Sequence, residues 1–555
     1  MSQKVVIIGG VAGGAGAAAR LRRLDEEAEI ILFERDDYIS FANCGLPYYI
    51  GEVIKKRDNL LVQTPKSMRE RFRVDVRIKS EVTGILREEK SVEVLDRETG
   101  KTYTEAYDKL ILAPGAAPFR PPIPGLDDAR VFSLRNIPDT DTIKGFVDEH
   151  KPGKAVVVGA GYIGLEMAEN LHLRGVDVTV VELADRVLPG LDFEMSALIY
   201  QHLLKKQVGV VTGNGVKAIL SGEDSVTVEL ADGRQIEADL VILGLGVKPE
   251  TTLAAEAGLK LGVTGGIAVD EHLRTSDPDI YALGDAIEVK NFVSGEPALI
   301  PLAGPANKQG RMVADIICGR DQNYNATQGT AILKVFDMSV AVTGLNEDAL
   351  RRAGLDYRKS IIHTASHATY YPGASTLSIK LLFAPADGKL LGAQVVGVDG
   401  VDKTMDVLAV AMRAGLTVHD LEELELSYAP PFSSAKSPVN VAGYVASNIL
   451  KGDCDVFYWD DIAEMDREKS ILLDVRSSFE FKKLGTIEGA LNIPIDKLRD
   501  NIDEIPKDKE IYIFCQVGLR AYLACRILNQ RGYRTKNLSG GYKTLKAAND
   551  VSTGK

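Results

Sequence analysis

Two segments of the chain share one pattern: an apolar strand, then a glycine-rich turn, then a helix rich in alanine and leucine. The first reads "KVVIIGG" and "AGGAGAAARLRRL", and the second, which begins at Lys154, reads "KAVVVGAGYIGLEMAENLHLRG". Glycines between a buried strand and a helix start permit a tight turn and a close approach of backbone N–H groups to a phosphate. The chain is therefore predicted to be α/β, with parallel sheets and two nucleotide-binding units.

Length and composition narrow the class of protein further. A chain of 555 residues is long enough for several domains, and its net charge of -12 argues against a nucleic-acid partner. No apolar run is long enough to span a bilayer, so no membrane association is predicted. The start "MSQKVVIIGG" enters a strand directly, and we expect a cytoplasmic protein.

The cysteines are too few and too scattered for a disulfide framework. We therefore expect any functional cysteine to act as a thiol, and no metal site is predicted. The five cysteines are Cys44, Cys318, Cys454, Cys515 and Cys525.

The second unit carries a complete dinucleotide fingerprint in "GAGYIG", formed by Gly159, Gly161 and Gly164. The next predicted strand, "DVTVVEL", contains Glu182 at its end, where a carboxylate accepts hydrogen bonds from a ribose 2′-hydroxyl and repels a 2′-phosphate. NADH is therefore favoured, while Arg186 leaves NADPH open.

The first unit has an incomplete fingerprint. Gly9 and Gly14 occupy the outer places, Val11 stands in the middle one, and Glu34 closes the strand "EIILFE". Two further segments strengthen the prediction of a nucleotide site. They are "YDKLILAPGAAPFRPPIPG" (107–125), which contains Ala113 and Gly115, and "TSDPDIYALGDA" (275–286), in which Gly284 precedes Asp285 at a strand end.

With these two glycine turns, "LILAPG", "LGVKPET" and "YALGD", residues 1–448 resemble the flavoprotein disulfide reductases that bind two dinucleotides. The resemblance implies FAD in the first unit, a nicotinamide cofactor in the second, and a domain that forms a homodimer and completes each active site. Asp285 is then the expected contact of the FAD ribitol. On this basis residues 1–150 and 251–325 form the FAD-binding domain, 151–250 the NAD(P)H-binding domain and 326–450 an α+β dimerisation domain.

Cys44, in "SFANCGLPYY", has no second cysteine nearby, which argues against the dithiol of the two-cysteine relatives. Single-cysteine relatives include oxidases and peroxidases, and the peroxidases keep a histidine where this chain has Ala12. The stretch most closely resembles the coenzyme A disulfide reductases, in which the cysteine forms a mixed disulfide with CoA. Because the thiolate is the reactive form, we expect the site to lower the thiol pKa through a helix dipole, the flavin or nearby donors.

The same resemblance implies further roles. In "SYAPPFSSAKSPVN" (427–440), Tyr428 is expected to protonate the departing CoA thiolate, and in "HATYYPGA" the second functional tyrosine is Tyr370, with Tyr371 as the alternative. Both are expected to act across the dimer. The residues implied to contact CoA are Arg20, Arg23, Ser40, Asn43, Arg71 and Lys436.

Residues 451–555 begin a new strand-and-helix series. In "YIFCQVGLRA" Cys515 ends an apolar strand, and four residues, 516 to 519, separate it from Arg520. Backbone N–H groups in such a loop converge on the sulfur and stabilise a thiolate. With "LLDVRSSFEF", "GTIEGALNIP" and "LSGGY", this part resembles a single α/β rhodanese domain with an active cysteine.

The combined hypothesis is an FAD-dependent and NADH-dependent enzyme that reduces CoA disulfide, CoA persulfide or polysulfide through Cys44 and carries a sulfur-transferring rhodanese domain. The alternatives are an NADH oxidase or peroxidase, or a sulfurtransferase or redox sensor whose flavin half does not turn over.

Overall fold

The computed structural model describes residues 3–553. Over that range the chain forms two compact units, one from residues 3–185 and 208–329 and the other from residues 186–207 and 330–553. No helix within residues 3–553 combines the length and the apolar composition needed to cross a membrane.

The first unit contains a parallel sheet whose central strand, Lys4–Ile8, is apolar and almost fully buried. The strands follow the order Ile280–Ala282, Lys109–Leu112, Lys4–Ile8, Glu29–Phe33, Asp75–Arg77. Helices Ala12–Leu24 and Ala303–Ile317 pack against each other so closely that a Cβ on Gly310 would lie 2.3 Å from the carbonyl oxygen of Gly13.

A second parallel sheet repeats this arrangement around strand Lys154–Val158 and helix Tyr162–Leu173. Its order is Gly209–Val211, Asp177–Val181, Lys154–Val158, Leu240–Leu243, Val131–Ser133.

Small antiparallel sheets and short helices complete the first unit. The antiparallel strands are Ser80–Leu86, Ser91–Asp96 and Thr102–Ala106; Val216–Ser221, Val226–Leu230 and Gln235–Ala238; Ala116–Pro118 with Val247–Pro249; and Val289–Lys290 with Pro297–Ala298. The remaining helices are Leu46–Ile50, Pro65–Phe72, Ile137–His150 and Thr252–Glu256, with 3-10 turns at Asn43–Gly45, Arg57–Leu60 and Gly284–Ala286.

The second unit begins with an antiparallel sheet covered by helices. The strand order is Ala331–Val335, Met338–Gly344, Leu390–Gly397, Thr376–Phe383, Arg358–Ala365. The helices are Phe193–Lys205, Glu347–Arg352, Val401–Arg413, Val418–Glu423 and Pro438–Leu450.

The C-terminal part of the second unit is a parallel sheet with helices around it. Its order is Asp455–Phe457, Arg534–Leu538, Glu510–Phe514, Ser470–Asp474, Leu491–Asn492. The helices are Ser478–Lys483, Leu519–Asn529 and Gly541–Ser552, with 3-10 turns at Asp460–Glu464, Ile495–Lys497 and Ile502–Glu504. Ile361 N–H donates to Ser539 Oγ at 2.9 Å, which joins this sheet to the antiparallel one.

The predicted fold class is confirmed: parallel dinucleotide-type sheets, an antiparallel sheet with helices and a C-terminal α/β sheet. The domain boundaries drawn from the sequence stay a prediction. Within residues 151–250, helix Phe193–Lys205 belongs to the second compact unit, where the buried Lys380 ammonium contacts Asp192 at 2.8 Å and Glu194 at 2.5 Å.

Candidate active site with two separate cysteines

The two glycine turns have the same backbone geometry. A Cβ on Gly14 would lie 1.9 Å from the carbonyl oxygen of Gly9, and a Cβ on Gly164 would lie 1.9 Å from that of Gly159. Glycine is therefore required where each helix passes its own strand end. By contrast, a Cβ on Gly161 would meet no atom within 4 Å, so packing within the chain tolerates a side chain at the middle place. Val11 occupies that place in the first turn and leads into Ala12, the first residue of its helix.

The predicted ribose-binding carboxylates are held by these turns. Gly10 N–H donates to Glu34 at 2.9 Å, and Ala160 N–H donates to Glu182 at 2.7 Å. The other oxygen of Glu182 accepts from Ala184 N–H at 2.8 Å, so this carboxylate is fixed at the strand end. Burial raises the pKa of Glu34. Both units can therefore present an acceptor to a ribose hydroxyl.

Asp285 offers an unused acceptor beside the first glycine turn. Its carboxylate is half-buried, burial raises its pKa, and among residues 3–553 it has no hydrogen-bond partner. The preceding residue is held in place because Gly284 N–H donates to the buried Gln309 side chain at 2.7 Å. An isolated carboxylate in this position fits a ligand that brings hydroxyl groups, as the FAD ribitol does.

The segments around Ala113 and Gly115 complete this cradle. Ala113 N–H donates to the Ile8 carbonyl at 2.8 Å, and Gly115 accepts from Glu250 N–H at 2.9 Å. These contacts place the loop after strand Lys109–Leu112 beside the first glycine turn, so the residues present fit an FAD site.

Cys44 lies in a 3-10 turn, Asn43–Gly45, that leads into helix Leu46–Ile50. Ser40, which has a left-handed φ of 44°, donates its N–H to the Gly10 carbonyl at 2.8 Å. Ser40 and Cys44 are therefore part of a loop attached directly to the first glycine turn. Asn43 and Cys44 are exposed in the chain, as a thiol that meets a substrate must be.

The chain's own groups raise the pKa of the Cys44 thiol. Burial of part of the side chain is the largest cause, and the carboxylates of Glu166 and Asp285 add to it. The expectation of a lowered pKa is therefore wrong for the chain's own groups taken together, whereas the contribution of the flavin stays a prediction. Burial also raises the pKa of Glu166 to about 7, and Tyr48 donates its hydroxyl to Glu166 at 3.2 Å.

The predicted CoA-binding arginines have different surroundings. Arg20 donates to Asp315 at 2.7 Å, and both side chains are largely buried. Arg23 is exposed and donates to the Ala19 carbonyl of its own helix at 2.9 Å. Arg71 is exposed on helix Pro65–Phe72. Their role in CoA binding stays a prediction.

The two predicted tyrosines meet in the second unit. The hydroxyls of Tyr370 and Tyr428 lie 2.7 Å apart, whereas the ring of Tyr371 packs edge-on against His367. Lys436 is exposed directly before Ser437, the residue that caps helix Pro438–Leu450. Two loops thus present two hydroxyls and an ammonium to solvent.

Cys515 follows strand Glu510–Phe514 and is fully buried. Gly518 N–H points at its sulfur from 3.2 Å, which is the predicted use of a backbone donor to stabilise a thiolate. Tyr542 N–H donates to the Cys515 carbonyl at 2.8 Å, so the segment "LSGGY" packs on the cysteine loop.

Arg520 begins the helix after this loop and forms a two-point ion pair with Glu480, at 2.7 Å for each contact. That ion pair is the main cause that lowers the pKa of Glu480 to about 2. The buried Arg476 pairs with Asp474 at 2.7 Å and reaches the Gln516 side chain at 3.3 Å. The quoted C-terminal motifs therefore surround Cys515.

Sequence reasoning missed several residues that shape these sites. Glu166 is an acidic residue two positions after Gly164, the last fingerprint glycine. Its place near the start of the following helix could have indicated that it lies near the nucleotide site. Gln309 and Asp315 lie on a helix without a recognisable motif, so no sequence signal pointed to them. Glu480 lies within the quoted segment "LLDVRSSFEF" but was assigned no role.

Family models match successive parts of the chain. The model of the pyridine nucleotide-disulphide oxidoreductases matches residues 3–310. The dimerisation-domain model of the same family matches residues 330–438, and the rhodanese-like domain model matches residues 460–548.

Individual relatives extend the similarity to almost the whole chain. The coenzyme A disulfide reductase of Staphylococcus haemolyticus is 37% identical over 448 residues, which are 80% of this chain and 100% of that protein. The structure of reduced CoADR-RHD from Bacillus anthracis has a TM-score of 0.97 at 53% identity and covers 99% of this chain and 98% of that one. The structure of an NAD-dependent persulfide reductase from A. fulgidus has a TM-score of 0.92 at 40% identity and covers 98% of this chain and 99% of that one.

These matches confirm the predicted resemblance to coenzyme A disulfide reductases and to a rhodanese domain, and the chain belongs to the pyridine nucleotide-disulphide oxidoreductase family.

Proposed function

We propose that this chain is an FAD-dependent and NADH-dependent enzyme that reduces coenzyme A disulfide or coenzyme A persulfide through Cys44. One observation carries the proposal: the exposed Cys44 lies on a loop that is hydrogen-bonded to the first glycine turn, with the Asp285 carboxylate close enough to influence its pKa. This arrangement places a lone thiol beside a cradle that fits a flavin.

The thiol chemistry balances without a second protein cysteine. The Cys44 thiolate attacks one sulfur of CoA disulfide, a mixed disulfide forms, and one CoA thiolate leaves. An electron pair then breaks the mixed disulfide, which releases the second CoA and restores Cys44. With one NADH and one proton, CoA disulfide gives two CoA thiols, and CoA persulfide gives one CoA thiol and hydrogen sulfide.

Bound FAD would supply the carrier that takes a hydride from NADH and passes an electron pair to sulfur. Glu34 and Asp285 are the residues proposed to accept hydrogen bonds from it, with the turn from Gly9 to Gly14 against its pyrophosphate. Glu182 is proposed to select NADH over NADPH. Arg186 is the residue that kept NADPH possible as a cofactor. Its guanidinium donates a hydrogen bond to the Asp348 carboxylate within the second unit.

The tyrosine pair is proposed to handle the proton. A CoA thiolate leaves more readily when a nearby acid protonates it, and Tyr428 is assigned that role. Its hydrogen-bond partner Tyr370 positions it, and Lys436 is proposed to contact CoA. The match of residues 330–438 to a dimerisation domain supports a homodimer in which these groups serve the neighbouring Cys44.

The C-terminal half is proposed to transfer sulfur on Cys515, with Gly518 N–H and the Arg520–Glu480 pair shaping its loop. We further propose that the enzyme acts in the cytoplasm, where glutathione and thioredoxin systems keep thiols such as Cys44 and Cys515 reduced.

The test is NADH consumption by the purified FAD-loaded protein, with CoA disulfide, CoA persulfide, polysulfide, hydrogen peroxide and oxygen compared side by side. We expect turnover with CoA disulfide or CoA persulfide to exceed turnover with peroxide and oxygen. Faster turnover with oxygen or peroxide would instead identify an oxidase or peroxidase. Absence of NADH turnover with every substrate, together with retained sulfur transfer, would identify a sulfurtransferase.

A further inference from the structure

A cavity of about 380 Å³ adjoins the Cys515 loop in the second unit. It lies where the end of helix Phe193–Lys205 approaches helix Gly541–Ser552. The residues that line it include Lys205, Gln516, Lys543, Lys546 and Asp550. Gln516 is the neighbour of Cys515 in the chain, so the cavity reaches the loop that holds the sulfur-transferring thiol.

The cavity carries an excess of positive charge. Asp550 pairs with Lys546 at 3.2 Å and accepts a hydrogen bond from Gln201 at 3.2 Å. Neither Lys205 nor Lys543 pairs with a carboxylate among residues 3–553. Burial and the nearby charge of Lys205 together lower the pKa of Lys543. Two ammonium groups that line one cavity and do not pair with its carboxylate are stabilised by an anion placed between them.

Lys543 is also held in register with the cysteine. Its backbone N–H donates to the Gln516 carbonyl at 3.0 Å, and Tyr542 N–H donates to the Cys515 carbonyl at 2.8 Å. A Cβ on Gly541 would lie 2.7 Å from the Cys515 carbonyl oxygen, so the start of this helix fits tightly against the loop. The backbone of Lys543 is therefore fixed against the loop that holds Cys515.

We propose that Lys205 and Lys543 bind the phosphate of a phosphorylated thiol that takes up sulfur from Cys515. This inference rests on the proposed sulfur transfer by Cys515. The thiolate of the acceptor attacks the outer sulfur of a Cys515 persulfide, the bond between that sulfur and Cys515 Sγ breaks, and Cys515 leaves as a thiolate. The acceptor becomes a persulfide, and no net oxidation or reduction occurs.

The size of the cavity favours an organic phosphate over a small inorganic dianion such as thiosulfate. Cavities of roughly 300 to 1,000 Å³ are typical of sites for small organic ligands. Thiosulfate must also deliver its sulfur at Cys515 Sγ itself, where Gly518 N–H is the donor. Coenzyme A is the phosphorylated thiol that the proposed NADH-dependent reaction already uses.

The experiment measures sulfur transfer from thiosulfate to a thiol without NADH, so that the flavin half does not turn over. Coenzyme A and pantetheine, which lacks the phosphates, are compared as acceptors. For Lys205→Gln combined with Lys543→Gln we expect the KM for coenzyme A to rise at least about tenfold, because charged hydrogen bonds are lost. The KM for pantetheine and for thiosulfate should not change. Inorganic pyrophosphate should compete with coenzyme A in the unchanged protein only.

Lys469→Gln is the matched control, because Lys469 is an exposed lysine in the turn before strand Ser470–Asp474 and does not line the cavity. An unchanged KM for coenzyme A in the double variant would overturn the proposal. An equal rise for pantetheine would mean that the lysines only support the loop, and a rise for thiosulfate would assign the cavity to the inorganic donor. Each of these results would also overturn it.

NADH-linked reduction of CoA disulfide, measured on the same variants, separates the two proposals. If the double variant reduces CoA disulfide normally and its KM for coenzyme A in sulfur transfer is unchanged, only the proposed lysine site is refuted. A protein that transfers sulfur with the expected lysine dependence but never oxidises NADH refutes the proposed reductase alone.

Discussion

The hydroxyl groups of Tyr370 and Tyr428 form a hydrogen bond of 2.7 Å, although the residues lie on two separate loops of the second unit. Both side chains are exposed, and the hydrogen bond from Tyr428 raises the pKa of Tyr370. The pair therefore presents two linked hydroxyl groups on the surface of the domain that matches a dimerisation domain.

Replacing Tyr428 by phenylalanine should slow CoA disulfide turnover by about 100-fold, because one general acid is lost. Flavin content and the rate of flavin reduction by NADH should stay normal. Stopped-flow absorbance for the flavin and steady-state NADH consumption measure the two steps separately.

Tyr371→Phe is the matched control and should leave turnover unchanged, because Tyr371 packs against His367 and not against the pair. Normal turnover by Tyr428→Phe would remove Tyr428 from the mechanism. A loss in Tyr371→Phe equal to that in Tyr370→Phe would contradict the choice of Tyr370.

The two cysteines should be separable by substitution. Cys44→Ser should accept hydride from NADH yet fail to reduce CoA disulfide, because the thiol that forms the mixed disulfide is absent. Cys515→Ser should lose sulfur transfer from thiosulfate and keep NADH-linked reduction of CoA disulfide. Both activities are measured on both variants, and Cys525→Ser controls for a cysteine buried in the same sheet domain. Continued CoA disulfide turnover by Cys44→Ser would refute the role of Cys44.

Glu182 should decide the choice between NADH and NADPH. Its two oxygens are fixed by Ala160 and Ala184, so Glu182→Ala removes a charge that cannot turn away from a 2′-phosphate. The ratio of kcat/KM for NADPH to that for NADH should rise at least about tenfold. Asp177→Ala, at the exposed start of the same strand, should leave the ratio unchanged. A clear preference of the unchanged protein for NADPH would refute the assignment.

Glu166 should control the reactivity of Cys44. Its pKa is about 7, so it is ionised above neutral pH, where its charge opposes formation of the thiolate. Glu166→Gln should therefore lower the pKa of Cys44, and alkylation of Cys44 by iodoacetamide should speed up at pH 8 and not at pH 5.5. Peptide mass spectrometry measures the fraction of Cys44 that is alkylated at each pH. Glu70→Gln, on the surface of a neighbouring helix, is the control, and identical pH profiles for both variants would exclude this coupling.

Lys380 should be essential to the stability of the second unit. Its buried ammonium contacts Asp192, Glu194 and Glu347. Burial alone would raise the pKa of Glu347. The nearby charges of Lys380 and Lys359 instead hold this pKa at about 2. This stabilisation is present above the ordinary value of 4.5 and is lost as the pH falls towards 2.

Lys380→Met leaves buried carboxylates without their cation and should reduce the free energy of unfolding by about 3 to 5 kcal/mol at pH 7. The deficit should shrink at pH 4.5, where uncompensated carboxylates become protonated. The single tryptophan, Trp459, stacks on Phe193 beside these carboxylates and reports urea unfolding by fluorescence. Lys469→Met is the exposed control, and a deficit that does not depend on pH would contradict the electrostatic explanation.

The sequence alone determined the features that depend on neighbours along the chain. The glycine turns follow from local geometry, since a Cβ on Gly164 would collide with the carbonyl of Gly159 a few residues away. The role of Glu182 could be predicted because the strand that precedes it is parallel to the strand before the glycine turn, so both strands end at the same edge of the sheet. The loop from Cys515 to Arg520 is likewise a short strand-to-helix connection. Local sterics and the direction of parallel strands are encoded in residue order, so they can be predicted from it.

Only the tertiary structure decided which charged groups meet. Arg20 was expected, from the family resemblance, to contact CoA, but helix packing brings it to Asp315, which is 295 residues away. Glu166 comes close to Cys44, and Lys543 comes close to Lys205, through packing between elements that are distant in sequence. A charge pattern states which face of a helix is polar, whereas the partner of each charge depends on where another element packs, and residue order does not contain that information.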